Sequence, residues 1–275
     1  MSTKNPEVVV EHVKQRYGKI ATGEVSGCGC GCSAAEALEA AVSKQVGYAS
    51  RELEVIPEEA NLGLGCGAPI AALAPAAGES VLDLGSGGGM DVFLAAPHIG
   101  ATGRVIGVDM TPEMIERARA TAAKHGFANV EFRQGRLEAL PVDDASIDAV
   151  TSNCVINLVP DKGQVFREVA RVLKPGGRLV ISDIVLDRPL PAAIADDLYA
   201  WAGCVAGAML RDDYFAALAA AGLGELEIVR DVDYVEAIAT QLPDEIQALL
   251  DRAGVGREAI TGAVRSLTFR ARRPA

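Results

Sequence analysis

The run Val81-Leu82-Asp83-Leu84-Gly85-Ser86-Gly87-Gly88-Gly89 carries an apolar strand into a glycine-rich turn, and Asp109 closes a second apolar strand twenty residues beyond Gly89. Glycine in such a turn lets the backbone approach a ligand closely. A carboxylate ending the next strand can accept hydrogen bonds from two ribose hydroxyls. The pattern is that of a nucleotide-type cofactor site. The dinucleotide fingerprint, counted from Gly85 and Gly87, needs glycine or alanine where this chain has Met90, which argues against a nicotinamide dehydrogenase.

Six cysteines form the second group with chemical potential. Cys28, Cys30 and Cys32 alternate with glycine, whereas Cys66, Cys154 and Cys204 are scattered singles. A zinc site is disfavoured for the cluster because C-x-C spacing lacks a matching second pair, leaving incidental loop thiols or accessory thiols as its two readings. A lone cysteine at a strand end or in an Ala/Gly-rich helix also reads as a small buried hydrophobe. His12, His98 and His125 offer little for acid–base work, and His98 and His125 fall in helix-end or loop segments suited to solvated side chains.

The chain has 275 residues, 49% of them hydrophobic, enough to fill the core of a globular protein, and a formal net charge of −11. That charge repels phosphate backbones and anionic membranes, and the longest basic cluster is Arg270-Ala271-Arg272-Arg273, so neither nucleic acid nor a membrane surface is an expected partner. Met1 to Glu11 lacks the apolar stretch of a secretory signal, and no apolar run reaches eighteen residues. A cytoplasmic location with reduced thiols is the expectation.

The elements that must hold these groups alternate. A helix is expected over 6–20, with Val9, Val10, Val13 and Tyr17 at helical spacing, then a glycine-rich stretch, a helix over 34–47, and a mixed segment to the strand at 80–84. Beyond it follow a helix over 89–97, a strand over 104–108, a helix over 112–125, strands over 129–133 and 147–152, a helix over 161–173 and a strand over 177–184. Such alternation predicts an α/β doubly wound, mostly parallel sheet with helices on both faces. Thr111-Pro112-Glu113 reads as a hydroxyl-capped helix start, and Lys174-Pro-Gly-Gly177 as a turn into the next strand. Residues 1–75 are read as an N-terminal lid, 76–187 as the cofactor-binding core, and 188–275 as a helical cap with Trp201 and Cys204 followed by strands 225–230 and 264–270 that complete the sheet, with a helix near 243–252 between them.

Ligands of open α/β sheets bind beyond the carboxyl ends of the strands. The residues there are Gly85, Ser86, Gly87 and Gly89, then Asp109 and Met110, then Gly135, Arg136 and Leu137, then Asn153 and Cys154. Met110 and Leu137 serve either as walls for an adenine ring or as ordinary core. Asn153 either faces the ligand or caps the next helix.

The D-x-G-x-G-x-G run from Asp83 resembles motif I of the class I S-adenosylmethionine (SAM) methyltransferases, whose carboxylate lies near the donor's ammonium group. Further runs extend the likeness: Lys14 to Gly18, Leu64-Gly-Cys-Gly67, Gly107 to Met110, Ser152-Asn-Cys-Val-Ile-Asn-Leu158, Leu173 to Gly177 and Gly203-Cys-Val-Ala-Gly-Ala208. Over residues 10 to 210 the chain resembles the arsenite SAM methyltransferases. The resemblance implies a class I (Rossmann-like) methyltransferase fold and SAM as methyl donor. It also implies Cys66, Cys154 and Cys204 as catalytic thiols that hold trivalent arsenic, with Cys28, Cys30 and Cys32 as possible accessory thiols.

Trivalent arsenic is a soft centre satisfied by three sulfurs, and its remaining lone pair is a nucleophile that needs no general base. The family resemblance further implies a small-thiol reductant such as glutathione, or thioredoxin as a partner. In place of the acidic residue that many SAM enzymes set against adenine, this chain has Arg136-Leu137. The rival readings are a C- or O-methyltransferase of a quinone-like molecule and a non-catalytic metalloid-binding protein.

Overall fold

The computed structural model describes residues 5–25, 39, 43–195, 197, 205–237 and 244–275. Seven strands form one sheet: β1 (Ser80–Leu84), β2 (Arg104–Asp109), β3 (Val130–Gln134), β4 (Ile147–Asn153), β5 (Leu173–Leu186), β6 (Gly224–Asp233) and β7 (Val264–Arg272). Their order is β3-β2-β1-β4-β5-β7-β6, with β1 to β5 parallel and β7 antiparallel to both of its neighbours. The principal helices are α1 (Pro6–Ala21), α2 (Met90–Ile99), α3 (Pro112–His125), α4 (Lys162–Val172), α5 (Arg211–Ala220) and α6 (Asp244–Ala253).

The central strands are apolar on both faces because both are covered. Leu82, Leu84, Ile106 and Val150 pack with Val165, Phe166 and Tyr214 in one core. Val81, Val105 and Ala149 pack with Phe93, Ile115 and Ala118 in another. Chain order reverses between β1 and β4, so the residues that follow these two adjacent strands meet at the switch point where α/β sheets bind ligands. A third apolar group, with Val9 and Val13 of α1, Leu158, Ile184 and Val264, surrounds Cys66 and Cys154.

The expected helices and strands of the core appear within a few residues of their predicted limits, with two corrections. β5 begins at Leu173, not after the Pro175-Gly176-Gly177 turn signal: Leu173 pairs with Ile147, and the register shifts before Ala149 meets Arg178. Thr111 starts α3, but its hydroxyl makes no capping hydrogen bond to the helix. Its side chain hydrogen-bonds Asp109 instead. Of the helix expected over 34–47, residues 43–46 are helical and most of the rest lies outside the described residues. No helix among the described residues is long and apolar enough to cross a membrane.

Candidate active site

A cleft opens at the switch point, with about 1050 Å³ of space counted together with the solvent at its open mouth. Its floor is the turn after β1. Gly85, Gly87 and Gly89 have φ of 66°, 49° and 94°, in the left-handed region that glycine enters without strain. A Cβ on Gly85 would come 2.2 Å from Val155 Cγ2, so the turn after β1 lies directly against the segment after β4.

Asp109 is buried and held on both carboxylate oxygens: Gly87 N donates to Oδ2 at 3.0 Å and Thr111 N to Oδ1 at 2.8 Å. Burial raises its pKa, and these donors partly counter the shift. Met110, Arg136 and Leu137 also line the cleft. Arg136 pairs with Glu138 at 2.9 Å and reaches Glu7 of α1 at 3.4 Å, and α1 adds Val10, Val13 and Tyr17 to the wall. Ser86 Oγ is buried without a hydrogen-bond partner among the described residues, an arrangement suited to a polar ligand.

Asp83 and Asp91, which also line the cleft, are both buried. Burial, followed by the charges of Asp91 and Asp109, pushes Asp83 well above the usual carboxylate range. Burial also raises Asp91, while hydrogen bonds from Tyr48 and Asn153 oppose the shift. Tyr48 OH donates to Asp91 Oδ1 at 2.7 Å. Asn153 Nδ2 faces Tyr48 OH at 2.7 Å, Gly67 O at 2.8 Å and Asp91 Oδ2 at 3.2 Å. Its Oδ1 accepts from Cys66 N at 3.1 Å and Gly67 N at 3.3 Å. Asn153 lines the cleft, yet its amide is engaged in holding the Leu64-Gly-Cys-Gly67 loop.

That loop is pinned from its other side too: Ser266 Oγ donates to Cys66 O at 2.5 Å. Cys154 sits at φ 60°, a conformation costly for a residue with a Cβ, and its N–H donates to Ser182 O at 2.8 Å. Cys66 Sγ lies 3.6 Å from the same carbonyl. The ligand atoms of Cys66, Cys154 and Asp183 fall within 4.8 Å of one another. Of the three thiols expected to converge, the structure brings these two together; Cys204, Cys28, Cys30 and Cys32 lie outside the described residues, as does Trp201.

Three site residues escaped the sequence reading. Asp183 interrupts the apolar run Leu179-Val-Ile-Ser-Asp-Ile-Val-Leu186, and a carboxylate within such a run is a detectable signal. Asp91, one turn past the glycines, carried the same kind of signal. Tyr48 carried none. His98 and His125 are both exposed, in keeping with their expected surface roles.

A mostly parallel sheet with a glycine turn after β1, a buried carboxylate after β2 and Leu137 after β3 is the arrangement of the doubly wound α/β nucleotide-binding folds. The methyltransferase domain family matches residues 75–254. The chain is 47% identical to an arsenite methyltransferase of Halobacterium salinarum over 87% of its length and 63% of that protein's. It is 45% identical to another of Aquipseudomonas alcaligenes over 58% and 48% respectively. The chain thus spans between about half and just under two thirds of these curated relatives. Among solved structures, an arsenic (III) S-adenosylmethionine methyltransferase from Chlamydomonas reinhardtii superposes with a TM-score of 0.62 at 31% identity, over 86% of this chain and 73% of that one. The chain belongs to the methyltransferase domain family and, within it, to the arsenic(III) S-adenosylmethionine methyltransferases.

Proposed function

We propose that the protein transfers a methyl group from SAM to trivalent arsenic held by its cysteine thiols, an arsenic-detoxifying activity. The observation that carries the reading is the meeting of Cys66 and Cys154 beside a cleft with the features of a SAM site. In this reading Asp109 holds the ribose hydroxyls, while Met110 and Leu137 flank the adenine. Asp83 meets the ammonium group, and the backbone at Gly85, Ser86, Gly87 and Gly89 follows the ligand closely. The left-handed glycines and the unpartnered Ser86 hydroxyl fit such a ligand. SAM, when bound, supplies an electrophilic methyl group on a cationic sulfur.

Cys66 and Cys154 hold arsenic as substrate, and we assign the third thiol to Cys204 on the sequence resemblance. Three thiolates suit a soft trivalent centre and leave its lone pair free as the nucleophile. The protein's work is then to hold and aim the arsenic. This accounts for a loop pinned at both the N–H and the carbonyl of Cys66. No general base is required. Methylation takes arsenic from the trivalent to the pentavalent state, so a two-electron thiol reductant, glutathione or thioredoxin, returns it to the trivalent state, with Cys28, Cys30 and Cys32 as candidate exchange thiols. The reading further implies a cytoplasmic location, where such reductants are kept reduced.

The test incubates purified protein with arsenite, SAM and glutathione and separates the methylated arsenicals. Methylated product that disappears in Cys66→Ser and Cys154→Ser supports the reading. Absence of product from folded, SAM-binding protein rejects it.

A further inference from the structure

The proposed methyl transfer explains two described thiols but gives no task to the buried carboxylate beside them. We infer that Cys66, Cys154 and Asp183 form a two-sulfur, one-oxygen binding site for a thiophilic divalent cation of the zinc class. Their ligand atoms lie within 4.8 Å of one another. Zinc bonds of about 2.3 Å to sulfur and 2.0–2.2 Å to oxygen place ligand atoms some 3.4–3.8 Å apart, so side-chain shifts of about 1 Å close the set.

The carboxylate is already oriented. Asp183 Oδ1 accepts from Asn157 Nδ2 at 2.8 Å and from Ile184 N at 2.9 Å, and Tyr214 OH lies 3.2 Å from Oδ2. Neighbours that fix a ligand's direction in this way are the usual outer shell of a metal site. Cys154 is held in a left-handed conformation and lines the cleft, which leaves a fourth position open to water.

Charge favours a divalent occupant. Two thiolates and a carboxylate carry three negative charges in an apolar surround that includes Leu158 and Ile184. The cation contributes two positive charges and buried Lys162 one, since Lys162 acts electrostatically on Asp183. The ensemble is then neutral, as burial demands. On binding, the two thiol protons pass to solvent together with the proton that burial, by raising the Asp183 pKa to about 7, keeps on that carboxyl near neutrality, and the cation sheds the waters that the three donors replace. Thiolate softness selects zinc-class ions over magnesium or calcium. Arsenic, pyramidal and bound through three sulfurs, makes no use of the Asp183 oxygen, so the two occupants share thiols and exclude each other.

The site is tested by titrating cadmium, a spectroscopic substitute for zinc, into full-length protein carrying Cys28→Ser, Cys30→Ser, Cys32→Ser and Cys204→Ser, so that Cys66 and Cys154 are the remaining thiols. The thiolate-to-metal absorption band is followed, and zinc is then added as competitor. Neither arsenite nor SAM is present, so a failure to methylate arsenic leaves this result intact and the reverse also holds. The expected result is one equivalent of cadmium displaced by zinc, with affinity lowered at least ~10-fold by Asp183→Asn and by each of Cys66→Ser and Cys154→Ser. Cadmium NMR of the protein with Asp183 in place reads the donor set without relying on variants that fail to fold, and a shift typical of two sulfurs with oxygen donors is expected. No band, undiminished affinity in Asp183→Asn, or a shift typical of three or four sulfurs would overturn the inference.

Discussion

Asn153 Oδ1 accepts the backbone N–H of Cys66 at 3.1 Å across 87 residues of sequence, and the same side chain faces Asp91 and Tyr48 of the cleft lining. One amide therefore spans the proposed donor and acceptor halves of the site. Asn153→Ala removes these bonds and leaves Tyr48, Gly67 and Cys66 with lost partners, a cost of about 1–3 kcal/mol in stability. The thiol loop then keeps Ser266 on the Cys66 carbonyl but loses its anchor on the N–H side. Arsenite turnover should fall by roughly 100-fold, the penalty of about 1 Å of misplacement, and by more than SAM affinity does. Steady-state methylation and SAM titration on the same preparation check this.

Gly67 tests the loop from the other side. A Cβ there would come 2.5 Å from Ser182 Oγ and 2.6 Å from its Cβ, against a strand that cannot retreat. Gly67→Ala should push the loop, and Cys66 with it, away from β5 at a cost of about 1–3 kcal/mol. Arsenite methylation should collapse while SAM still binds, because the turn after β1 is untouched. Equal loss of both would refute a separate acceptor loop.

The acidity of Asp83 and Asp91 gives the cleft a pH dependence whose sign can be worked out. Both carboxyls are raised above their ordinary values, so the folded protein keeps protons that the unfolded chain has already lost. Their contribution to stability is therefore fully present in the acid range and lost as pH rises through the raised values. Binding of a cationic ligand runs the other way, because it prefers the ionised pair. SAM affinity should weaken as pH falls below neutrality, and the stabilisation of the protein by SAM in thermal melts should grow with pH. Asp91→Asn should flatten the affinity profile, and a pH-independent SAM affinity in the unsubstituted protein would refute the argument.

The turn and strand ends proposed for the donor were legible as local structure because their determinants are local. The strand-to-turn run at Asp83 to Gly89 and the strand ending in Asp109 each encode their own conformation, and the alternation of strands and helices specifies the parallel sheet around them. The acceptor half depends on contacts between distant segments: Cys66 is placed by Asn153 and Ser266, which lie 87 and 200 residues away. No local pattern records such pairings, so the cysteines were singled out by family resemblance and Tyr48 was missed, whereas Asp91 and Asp183 were passed over although a carboxylate in an apolar run is a local signal. The early start of β5 was hidden for a related reason: Pro175-Gly176-Gly177 reads as a turn, and pairing of Leu173 with Ile147 overrides that signal.

Tyr48 supplies the sharpest check on the network because one atom can be removed without changing its shape. Its hydroxyl donates to Asp91 Oδ1 at 2.7 Å and lies 2.7 Å from Asn153 Nδ2, and it is buried, with a pKa raised well above the ordinary tyrosine value by burial and by the adjacent Asp91. The hydrogen bond stabilises ionised Asp91, so its loss in Tyr48→Phe must raise the pKa of that carboxyl further. The pH at which SAM affinity declines should therefore move upward, opposite to the flattening expected for Asp91→Asn. Asn153 loses one acceptor but retains Gly67 and Asp91, so arsenite turnover at high pH should drop far less than in Asn153→Ala. SAM titrations across pH on the two Asp91-directed variants decide the matter: an unmoved profile in Tyr48→Phe would show that Asp91 does not govern donor binding.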